Sequence, residues 1–169
     1  PRYAYHQIHV GFEPDRLLEL FDAEKPEVIV NFAAQGESAA SWSKSWRFYD
    51  TNVTALAKMT EGLMARDYLQ RWIQIGTSEL YGSVDFPADE ESLIKPSSPY
   101  AASKAAGDMH LLAISKVLDF PMNILRPSNS YGPGQQVHRI IPKAIICGLT
   151  GRKLPLQGGG QARKSYIHA

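Results

Sequence analysis

Three short apolar runs, separated by stretches of helical periodicity, constrain the fold more than any other feature of this sequence. The runs are Glu27–Phe32, Arg71–Gly76 and Met122–Arg126. The first is almost continuously apolar, which is typical of a parallel strand that is covered on both faces. Because such strands alternate here with helical patterns, the sequence predicts an α/β domain with right-handed crossovers.

The segments around these runs complete the pattern. Apolar residues recur at helical spacing in several of them, and Pro99 and Pro142 suit the first turn of a helix. We predict an extended segment over Tyr3–Val10, helices over Asp15–Ala23, Trp46–Ala65, Pro99–Leu118 and Ile140–Leu149, and turns with a short extended piece over Gly151–Gly160.

A dinucleotide-binding sheet normally has a glycine-rich turn after its first strand. No such turn follows any of the strands predicted here. Gly158–Gly160 cannot serve, because no helical pattern comes after it. We therefore expect a Rossmann-like, doubly wound parallel sheet that is incomplete. It should lack its N-terminal strand–helix unit and most of a C-terminal substrate domain, with the boundary between the two parts after residue 133.

Composition excludes several classes of protein. A net charge of +1 over 169 residues argues against nucleic acid as a partner, and no stretch approaches the roughly 20 apolar residues of a membrane span. The lone Cys147 excludes an internal disulfide and a cysteine-based zinc cage, so we expect a cytoplasmic protein. His6 and His9 would point to opposite faces of a strand, so no metal site is expected.

Four side chains suggest chemistry on a sugar alcohol. Tyr100 and Lys104 lie four apart and share one face of the predicted helix, where the ammonium favours a phenolate that can act as a base. Thr77 and Glu79 lie two apart in a segment expected to be extended, so they should share one face of a strand. The set suits removal of a hydride from a carbinol carbon and of a proton from its neighbour.

The motifs resemble those of the nucleotide-sugar epimerases and dehydratases among the extended short-chain dehydrogenases/reductases. They follow the family's order along nearly the whole chain: Asn31–Gln35, Thr51–Val53, Thr77–Gly82, Ser98–Lys104 and Arg126–Pro133. The resemblance implies that residues 1–133 are a partial NAD(P)-binding domain and that residues 134–169 begin the substrate-binding region. It also implies a nucleotide-diphosphate sugar as substrate, and a homodimer formed through the two long helices.

The resemblance assigns roles to individual residues. Thr77, Glu79, Tyr100 and Lys104 would be catalytic, and Arg163 would contact the diphosphate. The implied cofactor-binding residues are Ala33, Ala34, Gln35, Asn52, Ile75, Gly76, Tyr100, Lys104 and Pro127. The implied substrate-binding residues are Ser78, Asn129, Arg139 and Arg163. NAD is the expected cofactor; NADP stays open because the residue that reads the ribose 2′ position is expected upstream of Pro1.

Glu79 favours a 4,6-dehydratase over the other reactions of the family. After oxidation at C4 a carboxylate can remove the C5 proton while the C6 hydroxyl leaves as water, and the hydride then returns to C6. The residues from Tyr131 to Arg163 most resemble dTDP-glucose 4,6-dehydratases. Thr77-Ser78-Glu79 also resembles GDP-mannose 4,6-dehydratases. An epimerase, a UDP-glucuronate decarboxylase and a catalytically idle NAD(P)-binding module stay open as alternatives.

Overall fold

The computed structural model describes residues 3–85, 87–161 and 163–169. The chain divides into two compact units that meet in the sequence between Arg126 and Pro127. This division lies earlier than the boundary expected after residue 133, because Asn129–Tyr131 pairs with a strand near the C-terminus. Among the described residues, no helix is both long and apolar enough to cross a membrane.

Three parallel strands form the sheet of the first unit. They are β1 (Val28–Asn31), β2 (Arg71–Ile75) and β3 (Met122–Leu125), in the order β1-β2-β3. In the register of this sheet, Val30 lies beside Ile73. Parallel neighbours need crossover connections, and helices provide them here. The expected parallel α/β sheet is confirmed.

The helices begin and end close to the predicted residues. They are α1 (Pro14–Glu24), α2 (Ser45–Tyr49), α3 (Leu56–Met64), α4 (Pro99–Leu118) and α5 (Ile140–Leu149). The helix predicted over residues 46–65 differs, because the π-helical segment Asp50–Ala55 joins α2 to α3. One wider turn hardly alters an apolar pattern, so periodicity alone did not reveal it.

The core of the first unit lies between one face of the sheet and its helices. Trp72 of β2 is 1% exposed and packs in a cluster with Leu17, Leu56, Leu63 and Leu111 from α1, α3 and α4. The opposite face is different in the part that the structure describes. On that opposite face the side chains of Val28, Val30 and Leu125 are exposed. The described residues therefore cover one face of the sheet, not the two that the apolar runs predicted.

The N-terminal segment is not a strand, contrary to the prediction over Tyr3–Val10. Tyr3 and Tyr5 are largely exposed, and no strand among the described residues pairs with this segment. A strand needs a neighbouring strand to pair its backbone N–H and C=O groups. An alternating sequence pattern does not reveal whether such a neighbour exists. A turn ends the segment, where the His9 carbonyl accepts from the backbone N–H of Glu13 at 2.8 Å.

The second unit contains a strand pair that the sequence did not predict. The strands β4 (Asn129–Tyr131) and β5 (Tyr166–His168) are parallel and three residues long. The Tyr131 ring contacts the rings of Tyr166 and His168 edge-on. Within the predicted turn region, residues Gln157–Gly160 form a 3-10 helix. Strands of three residues, such as β4 and β5, are too short to show an alternating pattern in the sequence. They form because the two segments pair within the second unit.

Candidate active site

The carboxyl ends of the parallel strands lie at one edge of the sheet, where sites of α/β proteins form. Residues 33–35 follow β1 there, and Gly76 and Thr77 follow β2. Gly76 has little room for a side chain, since a Cβ would lie 3.1 Å from the Leu125 carbonyl oxygen. Most of the residues expected at the cofactor and the sugar are therefore brought to this edge by the fold of the first unit.

Helix α4 begins at Pro99, and its first turn is well capped. The Ser98 hydroxyl accepts from the backbone N–H of Ala101 at 3.1 Å, and Pro99 occupies the first helical position. One turn of helix then separates Tyr100 from Lys104, as predicted. The Tyr100 ring is half-buried and packs edge-on against Phe48 of α2, with 6.2 Å between ring centroids.

Lys104 joins α4 to the end of β2. Its side chain is buried, with 4% of the residue exposed, and Nζ donates to the Ile75 carbonyl oxygen at 2.7 Å. Burial lowers the pKa of Lys104, and the nearby Asp108 carboxylate opposes this by raising it. An ammonium has three donors, so the bond to Ile75 leaves Lys104 able to bond other acceptors.

Thr77 and Glu79 are not on one face of a strand, which corrects the prediction. β2 ends at Ile75, and a 3-10 helix over Ser78–Tyr81 carries Glu79. Thr77 caps this helix, because its hydroxyl accepts from the Glu79 backbone N–H at 3.2 Å. A hydroxyl and a backbone N–H two residues apart compete with the strand ladder, which is why the extended pattern stops there. Thr77 is buried and Glu79 is half-buried.

The 3-10 helix packs directly on α4. Leu80 and Tyr81 form a buried cluster with Ala105, the residue after Lys104. Gly82 closes the helix with φ of 71°, a conformation that glycine adopts without strain. The carboxylate of Glu79 is thus carried by a short helix that is anchored on the helix of Tyr100 and Lys104.

Asn52 ties three parts of the expected cofactor site together. Its Oδ1 accepts from the Gln35 backbone N–H at 2.8 Å, and its Nδ2 donates to the Gln35 carbonyl at 3.1 Å and to Ser103 Oγ at 2.9 Å. Ser103 in turn donates to the Tyr100 carbonyl at 2.7 Å. The loop after β1, the π-helical segment and α4 are therefore fixed to one another.

Several functional candidates were missed at the sequence level. Asn31 at the end of β1 donates to Gln74 Oε1 at 2.9 Å and accepts from the backbone N–H of Ala33 at 3.1 Å, so it shapes the loop of the expected cofactor residues. The side chains of Asn31 and Gln74 are both buried, each with apolar residues on either side in its strand or next to it. A polar residue at such a position was the available signal, since buried polar groups need partners.

Asp108 and Arg126 were also missed. Arg126 Nε donates to Asp108 Oδ2 at 2.9 Å, and Nη1 donates to the Tyr81 hydroxyl at 2.9 Å. Burial raises the pKa of Asp108, and the Arg126 guanidinium opposes this. The four-residue spacing of Lys104 and Asp108 on α4 was a visible signal, but the pairing of Asp108 with Arg126, which follows β3, was not.

The other predicted residues belong to the second unit, which Pro127 begins. Asn129 lies in β4, and its Nδ2 donates to the Ser165 carbonyl at 3.4 Å. Arg139 precedes α5 and is exposed, as is Arg163. Of the predicted substrate residues, only Ser78 lies in the first unit, half-buried at the start of the 3-10 helix.

The donor set of the first unit fits a dinucleotide bound at its strand ends. Ala33 and Ala34 are small and leave the backbone after β1 accessible, and Lys104 offers ammonium donors beside the end of β2. Tyr100, which carries the phenol, lies one helical turn before Lys104 on α4. Thr77, which carries the hydroxyl, follows β2. A phenol, an ammonium, a hydroxyl and a carboxylate are thus carried by α4 and by the 3-10 helix packed on it, with its cap.

The chain is similar to known proteins of one family. A model of the NAD dependent epimerase/dehydratase family matches residues 11–169. dTDP-glucose 4,6-dehydratase of Streptomyces niveus is 35% identical over 143 residues, which cover 84% of this chain and 42% of that protein. A trifunctional UDP-glucose 4,6-dehydratase/UDP-4-keto-6-deoxy-D-glucose 3,5-epimerase/UDP-4-keto-L-rhamnose-reductase of Arabidopsis thaliana is 31% identical over 153 residues, which cover 88% of this chain and 23% of that protein.

Among solved structures, dTDP-glucose 4,6-dehydratase from Streptomyces venezuelae, determined with NAD bound, matches with a TM-score of 0.90 at 30% identity. The match covers 99% of this chain and 51% of that one. The chain therefore spans about half or less of the length of these relatives. The expected Rossmann-like fold, the resemblance to epimerases and dehydratases, and the expectation of NAD as their cofactor are confirmed.

Proposed function

The chain belongs to the NAD dependent epimerase/dehydratase family, and on that premise we propose that it carries the catalytic part of a nucleotide-sugar 4,6-dehydratase. The observation that carries this proposal is the position of Glu79. Its 3-10 helix is capped by Thr77 and packed on the helix of Tyr100 and Lys104. A carboxylate held there is suited to a proton on the carbon next to the one that is oxidised.

Tyr100 acts as the base of the oxidation step. It takes the proton of the C4 hydroxyl, while Thr77 holds the C4 oxygen through a hydrogen bond. The positive charge of Lys104 favours the phenolate form of Tyr100 over the neutral phenol. The chemistry that bound NAD would supply is transfer of the C4 hydride to C6, with no net consumption of the cofactor.

Glu79 acts in the elimination step. It takes the C5 proton of the 4-keto sugar and passes it to the C6 hydroxyl, which leaves as water. Ser78 is no acid at neutral pH, so Glu79 serves both ends of the elimination. The proton that Tyr100 took from the C4 hydroxyl goes to C5 when the hydride arrives at C6. The sugar thereby loses one water, and each side chain returns to its starting state.

The substrate is a nucleotide-diphosphate hexose of the dTDP-glucose or GDP-mannose type. The relatives named dTDP-glucose 4,6-dehydratases support the first, and the sequence Thr77-Ser78-Glu79 supports the second. Arg163 carries the exposed guanidinium group expected for the diphosphate. Arg139, which is also exposed, is proposed to bind the substrate. Ser78 and Asn129 are the other residues that we propose for substrate binding.

The test is product analysis by mass spectrometry. The complete gene product, given NAD and either nucleotide sugar, should release a product lighter by one water with no net reduction of the cofactor. An isomer of unchanged mass would instead indicate an epimerase. Loss of carbon dioxide from UDP-glucuronate would indicate a decarboxylase, and the absence of any cofactor reduction would indicate an idle binding module.

Variants separate the two steps. Glu79→Gln should permit reduction of the cofactor by substrate but block water loss, whereas Tyr100→Phe should impair both. Glu61→Gln, at an exposed position of α3, is the matched control and should behave as wild type. Equal loss of cofactor reduction in the Glu79 and Tyr100 variants would refute this division of roles.

We also propose that the protein is a cytoplasmic homodimer. Ala101, Ala105 and Gly107 of α4 are buried within the unit itself, so these small residues serve packing inside the unit. Met109 and Leu112 on the same helix are more than two-fifths exposed and are apolar. These two exposed apolar side chains support an interface on α4. The test is analytical sedimentation of the complete gene product, and a monomeric mass would contradict the proposed dimer.

A further inference from the structure

Arg126 connects the two elements that carry the proposed catalytic residues. It follows β3, and only 13% of its side chain is exposed. Nε donates to Asp108 on α4 at 2.9 Å, and Nη1 donates to the Tyr81 hydroxyl at 2.9 Å. The guanidinium also lies over the Tyr81 ring, at 5.6 Å from its centroid. A planar guanidinium is suited to such a bridge, because its donors have a fixed geometry.

Each partner of Arg126 is close in sequence to a proposed catalytic residue. Tyr81 ends the 3-10 helix that carries Glu79. Asp108 lies four residues after Lys104, on the same face of α4. Asp108 is 1% exposed and Tyr81 is 7% exposed, so both partners of the half-buried Arg126 are buried. A movement of the 3-10 helix against α4 would therefore break a charge-assisted bond that is largely shielded from water.

We propose that Arg126, held by Asp108 and Tyr81, is a positioning residue that sets Glu79 against the helix of Tyr100 and Lys104. This inference rests on the proposed function, in which Glu79 acts at C5 while Tyr100 acts at the C4 oxygen. The two carbons are adjacent, so the elimination needs both side chains at one ring. Rate falls steeply when reacting groups are misplaced by about 1 Å.

The same bridge acts on the charge of Lys104. The Asp108 carboxylate raises the pKa of Lys104 and thereby opposes the effect of burial. The π-helical segment contributes the uncharged Asn52 amide to this region, and β2 contributes the Ile75 carbonyl. Asp108 is the charged group that acts on the pKa of Lys104, and Arg126 is bonded to its carboxylate. The other titratable residues on the elements around Lys104 are Tyr100, His110 and Lys116 of α4, Glu79 and Tyr81 of the 3-10 helix, Asp50 of the π-helical segment and Arg71 of β2.

Two variants test the positioning role. Tyr81→Phe removes one bond of Arg126 and keeps its ion pair, and Arg126→Lys keeps the charge but lacks the planar fork. In the complete gene product both should slow water loss about tenfold, which is the effect of about one hydrogen bond. Both should leave the rate of cofactor reduction unchanged. Equal slowing of the two steps, or no slowing of either, would overturn the proposal.

Asp108→Asn tests the electrostatic role. Without the carboxylate the pKa of Lys104 should fall, so the alkaline limb of cofactor reduction should move to lower pH. Carbon-13 NMR titration of Lys104 should show the same shift without any turnover. An unchanged titration in a folded Asp108→Asn protein would overturn this part of the proposal.

The chain offers a matched control in a second Asp–Arg–Tyr cluster. Asp22 accepts from Arg66 at 2.7 Å and from the Tyr68 hydroxyl at 3.0 Å, at an exposed position. Asp22→Asn and Tyr68→Phe make the same chemical changes and should alter neither step. If the wild type forms an isomer, the proposed dehydratase is wrong, while the NMR titration still decides the link to Lys104. If it loses water and the Tyr81 and Arg126 variants match the controls, only this inference fails.

Discussion

Gly107 allows α4 to lie unusually close to the π-helical segment. A Cβ at this position would stand 2.6 Å from the Asn52 carbonyl oxygen and 3.1 Å from Leu56 Cδ2. Ordinary contacts of carbon are about 3.5–4.0 Å, so Gly107→Ala requires a shift of roughly 1 Å. The obstacle is backbone, which a side-chain rotation cannot relieve.

Gly62→Ala in α3 provides the comparison. There the added Cβ would stand 2.5 Å from Leu18 Cδ1, the end of a half-buried and flexible side chain. Alanine is favoured over glycine in a helix by about 1 kcal/mol in both variants. Overpacking against a rigid neighbour costs about 1–3 kcal/mol. Gly107→Ala should therefore have a free energy of unfolding lower than that of Gly62→Ala by about 1–3 kcal/mol.

Urea unfolding of both variants measures this difference, provided that the two slopes agree. The movement of α4 should also displace Tyr100 and Lys104 from the end of β2, and a displacement of about 1 Å can cost about 100-fold in rate. Single-turnover cofactor reduction should fall in Gly107→Ala and stay near wild type in Gly62→Ala. A Gly107→Ala protein at least as stable as Gly62→Ala would refute the close-approach argument.

Two further predictions concern the same site. Cofactor reduction should fall at alkaline pH as Lys104 loses its proton. Because burial lowers the pKa of Lys104, this fall should begin below the ordinary lysine value of about 10.4. Lys104→Arg should move that fall to higher pH, since a guanidinium stays charged, and an unmoved limb would assign it to another group. Asn52→Asp should destabilise the fold by about 1–3 kcal/mol, because a carboxylate cannot donate to the Gln35 carbonyl or to Ser103; equal thermal midpoints would contradict this.

Local signals predicted the frame of the site well. α4 begins and ends at the predicted residues because Ser98 and Pro99 act within one turn of its start. The four-residue spacing of Tyr100 and Lys104 places both side chains on one face because this segment is helical. The buried strands were likewise visible as apolar runs, because each is long enough to carry its own pattern.

Local signals failed where the partner is distant in the sequence. The bond of Asn52 to the Gln35 backbone spans 17 residues, and the strands β4 and β5 exist only as a pair. The extended geometry predicted for Thr77 and Glu79 gave way to a cap. Neither periodicity nor propensity contains these pairings, since they depend on elements that meet only after folding.

The order of residues alone thus determined the parallel α/β frame, the helix of Tyr100 and Lys104, and the side chains available for chemistry. The tertiary structure decided how those side chains are held. It buried Lys104 against the Ile75 carbonyl, placed Glu79 on a capped 3-10 helix, and joined that helix to α4 through Arg126. The reason is that burial and hydrogen-bond geometry belong to contacts across the fold, which no single segment specifies.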